Sequence, residues 1–226
     1  MNERTRIWAV VPVKSFARAK ARLAPLLDSG QREELACAML QDVLAALQTV
    51  AQLSGILVVS QDARAQQIAR AHGARIVEDR FEEGPNAAIR LAMPLLRECR
   101  ADAMVVVPSD VPQIEADELL PILQRLRSAG VALVPAARDG GTNLLGCSPI
   151  DVIEPCFGPE SFAKHVNAAK HLALEPAVFL ARSLMHDIDR SQDLREFRAR
   201  HATRTEVCLG KWVEQTHMPD DVVFSQ

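Results

Sequence analysis

Apolar residues fall into two textures that alternate along this chain. Short runs rich in Val, Ile and Ala cover Ile7–Val13, Ile56–Ser60, Arg75–Val77, Met104–Val107 and Val131–Val134. Runs of that length and density fit strands buried on both faces. Between them, apolar positions recur every three or four residues, the helical period. The plainest case opens at Gly30 and Gln31 and carries Leu35, Met39, Val43, Leu47 and Val50. The same period predicts helices over Ala63–Ala71, Pro85–Arg97, Glu115–Arg127, Ser161–Leu172 and Ser191–Arg200. Pro85 suits a first helical turn, where its missing N–H costs nothing.

Strands alternating with helices specify βαβ units, hence an α/β fold with a mostly parallel twisted sheet and helices on both faces. Right-handed crossovers then gather the strand carboxyl ends on one edge, where ligands bind. Further along, Ala177–Ala181 reads as another strand, Arg182–His186 is ambiguous, and Arg204–Leu209 reads as an extra strand. Met218-Pro219-Asp220-Asp221 reads as a loop or disordered end. With no repeat, low-complexity tract or long linker, residues 1–200 read as one domain and 201–226 as a C-terminal extension, a candidate dimer contact.

Composition narrows the partners. The chain has 226 residues, 48% of them hydrophobic, enough for a core without disulfides or metal staples. Its 26 Lys and Arg against 29 Asp and Glu argue against a nucleic-acid or membrane-surface binder, yet leave room for a local basic pocket. No apolar run approaches the ~20 residues of a membrane span. Met1-Asn2-Glu3-Arg4 opens a poor signal peptide. Five scattered cysteines without a C-x-x-C pair read as reduced thiols of a cytoplasmic protein.

Candidate chemistry sits where the strands end. Lys14, Arg18, Lys20 and Arg22 cluster after the first strand, as a polyphosphate cradle or as a solvated basic loop. No G-x-x-x-x-G-K-[ST] is present, so this is not a P-loop. Asp110, bracketed by Pro108 and Pro112 after the fourth strand, suits Mg²⁺ or caps a turn. Asp187-Ile188-Asp189 is a second acidic site. Adjacent residues of an extended segment face opposite ways, so one of the two carboxylates is expected to face Asp110, Asp187 ahead of Asp189. Gly140, Gly141, Thr142 and Asn143 after the fifth strand, and Gly158 with Ser161 at a helix N-cap, could seat an anion or serve simple turns. Gly84 and Asn86 could meet a nucleobase or ribose, and His165 shares a helix face with Ser161. No nucleophilic triad stands out.

Taken in order, Val11-Pro12-Val13-Lys14 through Lys20-Ala21-Arg22-Leu23, Gly84-Pro85-Asn86-Ala87-Ala88, Ser109-Asp110-Val111-Pro112, Gly140-Gly141-Thr142-Asn143, Phe157-Gly158 with Ser161 and His165, and Asp187-Ile188-Asp189 resemble the phospholactate guanylyltransferase family of deazaflavin coenzyme biosynthesis. The resemblance covers about residues 7–197. It implies a nucleotide-diphospho-sugar-transferase-like, Rossmann-like fold. It implies Mg²⁺-dependent transfer of GMP from GTP to 2-phospho-L-lactate, phosphoenolpyruvate or 3-phospho-D-glycerate, releasing pyrophosphate. It also implies that Thr142, Gly158 and Ser161 hold the acceptor phosphate, Asp110 with Asp187 or Asp189 the metal, and the loop of Lys14, Lys20 and Arg22 the GTP phosphates. Two alternatives stand beside it. One is a sugar-phosphate or molybdenum-cofactor nucleotidyltransferase, whose usual glycine-rich loop is missing before Gly30; the other is an inactive nucleotide-binding regulator.

Overall fold

The computed structural model describes residues 5–197 and 203–216. The expected ends at residues 1–4, 198–202 and 217–226, including Met218–Asp221, lie outside the described residues. One seven-stranded sheet runs through the fold: β1 (Ile7–Pro12), β2 (Leu53–Val59), β3 (Arg75–Val77), β4 (Ala103–Val106), β5 (Gly130–Pro135), β6 (Thr142–Ser148) and β7 (Ala177–Val178). Their spatial order is β3-β2-β1-β4-β6-β5-β7. Strand β6 pairs antiparallel with both β4 and β5, and the other pairings are parallel.

Alternation along β1 explains the layers. Ile7, Ala9 and Val11 face one apolar cluster, together with Leu40, Val43, Leu44 and Leu47 of α1 (Ser29–Thr49). Val10 faces the opposite cluster with Ile89, Ala92 and Leu96 of α3 (Pro85–Glu98). Helices α2 (Ala63–Ala71), α4 (Ala116–Arg125) and α5 (Ser161–His171) complete the covering. Helix α1 starts at Ser29, one residue before Gly30, because the Asp28 carboxylate accepts the Gln31 N–H while the Gln31 amide accepts that of Asp28.

The later chain departs from expectation. Extended pairing after α5 stops at Val178, and Arg182–Met185 forms a short helix, α6. Ser191–Glu196 forms α7. Arg204–Leu209, expected as a strand, opens helix α8 (Arg204–Thr216). Its buried residues Thr205, Cys208, Leu209 and Trp212 follow helical spacing, and Val207 between them is exposed. The buried carboxylate of Asp42 on α1 accepts the N–H groups of Arg204 and Thr205 and the Thr205 hydroxyl, at 2.7–2.9 Å. An N-terminus capped from another helix favours helix over strand. All five cysteines carry free thiols.

A third apolar cluster joins Leu23, Leu35, Met39, Ile188, Leu209 and Trp212. Leu23 follows Arg22 directly, and Ile188 sits between two aspartates. The cationic loop and the acidic segment are therefore anchored in the same patch of core.

Candidate active site

The carboxyl edge opens on a cleft of about 530 Å³. Its floor is the end of β1, and its far walls are the turn after β3 and the segments after β4 and α6. Lys14, Arg18, Lys20 and Arg22 all line it. Two acids pin the loop that carries them. Glu82 accepts the Ser15 N–H at 2.5 Å and pairs with Arg18 at 2.9 Å, while Asp62 accepts the Phe16 N–H at 2.9 Å. Lys14 is exposed, whereas the Lys20 side chain is only 7% exposed. Lys20 sits at φ 53°, a left-handed conformation rare for a residue with a Cβ. Its Nζ reaches 2.6 Å from Asp110 Oδ2 and 3.8 Å from Asp189 Oδ1. Arg22 pairs with Asp189 at 2.5 Å.

The two acidic stretches lie side by side, since the Ile188 N–H donates to the Asp110 carbonyl at 3.0 Å. Both Asp187 and Asp189 line the cleft, which corrects the expectation that only one would face Asp110. Residues i and i+2 of an extended segment share a face, and here Ile188 alone turns into the core. Burial first, and the Asp110 charge second, push the Asp187 carboxyl above its usual range; the Asn143 amide, donating at 3.2 Å, and Lys20 pull the other way. Asp189 is held from behind. Asp193 of α7 accepts its N–H at 2.8 Å and that of Arg190 at 2.6 Å, and Arg138 bridges Asp193 and Glu196.

Across the cleft, Phe157 and Gly158 form the opposing wall. Gly158 adopts φ +127° with open space where a Cβ would stand, so a ligand can approach its backbone. Thr142 and Ser161 lie behind this turn, both buried. Thr142 belongs to the first residue pair of β6 rather than to a loop after β5, and the reversed strand is what brings its start to the carboxyl edge. Ser161 is the first residue of α5 and not its N-cap, which is Glu160; its hydroxyl donates instead to Thr142 Oγ1 at 3.3 Å. His165 Nε2 accepts the Cys156 N–H at 2.9 Å, which places the ring proton on Nδ1 facing Thr142 Oγ1 at 3.0 Å. The Thr142 oxygen thus accepts twice and keeps its own proton for a third partner. Burial, reinforced by Lys164, pushes His165 down to about 4.

Asn86 is engaged elsewhere than expected. Its amide donates to the Phe157 carbonyl at 3.0 Å and accepts the Phe157 N–H at 2.7 Å, bracing the Gly158 turn, and Asn86 is not among the residues lining the cleft. Gly84 does line the cleft.

The cations of the β1 loop and the carboxylates of the two acidic stretches thus meet on the same side of the cleft, in direct contact, instead of facing one another across it. Residues 7–207 match the family described as guanylyl transferase CofC-like. The chain belongs to that family. A phosphoenolpyruvate guanylyltransferase of Roseiflexus castenholzii is 40% identical over 83% of this chain and 86% of its own. A 2-phospho-L-lactate guanylyltransferase of Methanothermobacter thermautotrophicus is 34% identical over 83% and 82%. A 3-phospho-D-glycerate guanylyltransferase of Phenylobacterium zucineum is 34% identical over 82% and 86%. Among solved structures, one from Desulfovibrio desulfuricans assigned as a nucleotide-diphospho-sugar transferase overlays with a TM-score of 0.72 at 19% identity, over 93% and 96% of the two chains. The expected fold and the expected guanylyltransferase family are therefore those found. No helix among the described residues is long and apolar enough to cross a membrane.

Two residues of this CofC-like site carry no motif in the sequence. Asp193 braces Asp189 from a helix start, and Asp79 lines the cleft after β3. Only the rule that ligands gather at strand carboxyl ends would have drawn attention to Asp79.

Proposed function

We propose that this protein transfers GMP from GTP to the phosphate of a three-carbon phospho-acid, 2-phospho-L-lactate, phosphoenolpyruvate or 3-phospho-D-glycerate, and releases pyrophosphate. The observation that carries the reading is the meeting of Asp110 with Asp187 and Asp189 around the Lys20 ammonium, opposite the Gly158 turn. An acceptor phosphate oxygen would attack the α-phosphorus of GTP in line, forming a new P–O bond as the bond to the pyrophosphate breaks. An ionised phosphate needs no general base near neutral pH, so the protein's work is positioning two anions that repel one another. Lys14, Lys20 and Arg22 neutralise the triphosphate. Gly158 and Thr142 receive the acceptor phosphate, the Thr142 hydroxyl proton being the donor that the His165 and Ser161 contacts leave free, while Ser161, whose N–H and hydroxyl both donate within the protein, orients Thr142 instead of touching the ligand.

Among the described residues, no three acidic, histidine or cysteine side chains close into a ready ligand shell. Mg²⁺ does not require one, since it binds through one or two carboxylates with phosphate oxygens and water. Asp110 and Asp187, hard oxygen donors with Asp187 held uneasily beside its neighbour's charge, fit that demand, and Asp189 stands next in line. When bound, the ion would draw charge from the transferring phosphoryl oxygens.

The test is incubation with GTP, Mg²⁺ and each acid in turn, following pyrophosphate and the guanylylated product. One acid should turn over, and Asp110→Asn should lower the rate by about 10²-fold or more. No pyrophosphate with any of the three acids would overturn the assignment.

A further inference from the structure

A guanylyl transferase must tell guanine from other bases, and the cleft offers few groups able to do so. Guanine's distinguishing edge presents two adjacent donors, N1–H and the 2-amino group, so its reader must accept. Lysines and arginines have the wrong polarity. Glu82 already has a partner on each oxygen, one of them the Arg18 guanidinium, and Asn86 is turned onto Phe157 and is not among the residues lining the cleft.

Asp79 is different. It is 5% exposed, lines the cleft, and follows β3 at the end farthest along the sheet from β6. Its Oδ1 accepts the Glu82 N–H at 3.0 Å, closing the turn in which Glu82 adopts φ 46°. Its Oδ2 accepts no hydrogen bond from the described residues and is not among their fully buried unpaired side-chain atoms, so it keeps some accessibility in a residue that lines the cleft. A nearly buried carboxylate with one oxygen unpaired and facing a ligand cleft is costly unless a donor arrives. Beside it, Gly84 leaves open space at φ +99°, and Pro12, Val13, Pro85 and Ala88 give apolar walls against which a flat base can lie.

We infer that Asp79 reads the Watson–Crick edge of guanine, accepting N1–H and the 2-amino group with its two oxygens. Oδ1 retains a lone pair beside the Glu82 N–H. Adenine, with an acceptor at N1, would face the carboxylate with like polarity and be refused. The nucleotide then lies across the sheet edge, its base at the β3 side, its phosphates over the β1 loop, and the acceptor at the β6 side. This inference rests on the guanylyl-transfer reading above and adds the group that selects the base.

The experiment compares GTP, ITP, which lacks the 2-amino group, and XTP, which carries a carbonyl in its place, in wild type and Asp79→Asn, with pyrophosphate release as readout. Wild type should prefer GTP over ITP by about tenfold or more in kcat/KM. Asp79→Asn should lose GTP use by about 10²-fold, bring GTP and ITP within two- to threefold, and gain on XTP, whose carbonyl accepts the new amide N–H. General damage would not invert a base preference. An Asp79→Asn enzyme that keeps the wild-type GTP-to-ITP ratio overturns the inference while leaving guanylyl transfer intact. So does parity of GTP and ITP in wild type, which settles the matter even if the variant fails to fold. Wild type inert toward all three nucleotides with every acid would instead sink the underlying activity.

Discussion

Lys20 Nζ lies 2.6 Å from Asp110 Oδ2, and the side chain that makes this contact is nearly buried. One ammonium group thereby offsets charge contributed by two separate stretches of chain, since Asp189 is also within 3.8 Å. Burying such a group is unfavourable unless its partners stay close.

If the proposed reading holds, Lys20→Met should lower kcat/KM for GTP by about 10²–10³-fold, through loss of the charge that the proposal sets against the triphosphate. Lys20→Arg should recover only part of this, the planar guanidinium fitting poorly into a site shaped for a compact ammonium. Pyrophosphate release at varied GTP measures both.

Asn86→Ala should act on the acceptor and not on the nucleotide. It removes both hydrogen bonds that hold Phe157 and with them the rigidity of the Gly158 turn. Steady-state kinetics should show the KM for the phospho-acid rising roughly tenfold, with the KM for GTP within twofold.

Acid should weaken the fold through His165. Its folded pKa of about 4 lies below the ordinary 6.5, so the unfolded chain takes up a proton that the folded chain refuses. The contribution is complete above about 6.5, falls by about 1.4 kcal/mol per pH unit as pH drops toward 4, and levels off below. Denaturant unfolding across this window should give a flatter stability profile for His165→Gln than for wild type.

Asp42→Ala should cost about 2 kcal/mol, since three donors at the start of α8 lose a charged acceptor. A lower urea midpoint at unchanged m-value would report it.

Much of this architecture was legible beforehand because strands β1 to β5 are continuous apolar runs and the main helices are amphipathic. Strand β6 was hidden by its polar start at Thr142 and Asn143, although Gly140-Gly141 between two apolar runs is a hairpin signal. The stretch Arg204–Leu209 misled because β-branched residues there alternate locally; its fate is decided by Asp42, far away in sequence, which no local pattern reports. Asp110, Asp187, Asp189 and the basic loop were readable from their places after strands. The use of Asn86 as a brace, of Asp193 as a backstop and of Asp79 as a cleft wall depends on which backbone groups fold against them, and side-chain type carries no record of that.

Because β6 runs against its neighbours, the two ends of the cleft hang from different kinds of connection. The β3 side rests on crossovers through helices, where adding or removing a residue rotates a whole helix face. The Thr142 side hangs from the surface hairpin at 136–141, whose length can change without rotating a helix. Length changes are therefore expected to be borne more easily on the Thr142 side of the cleft than on the β3 side.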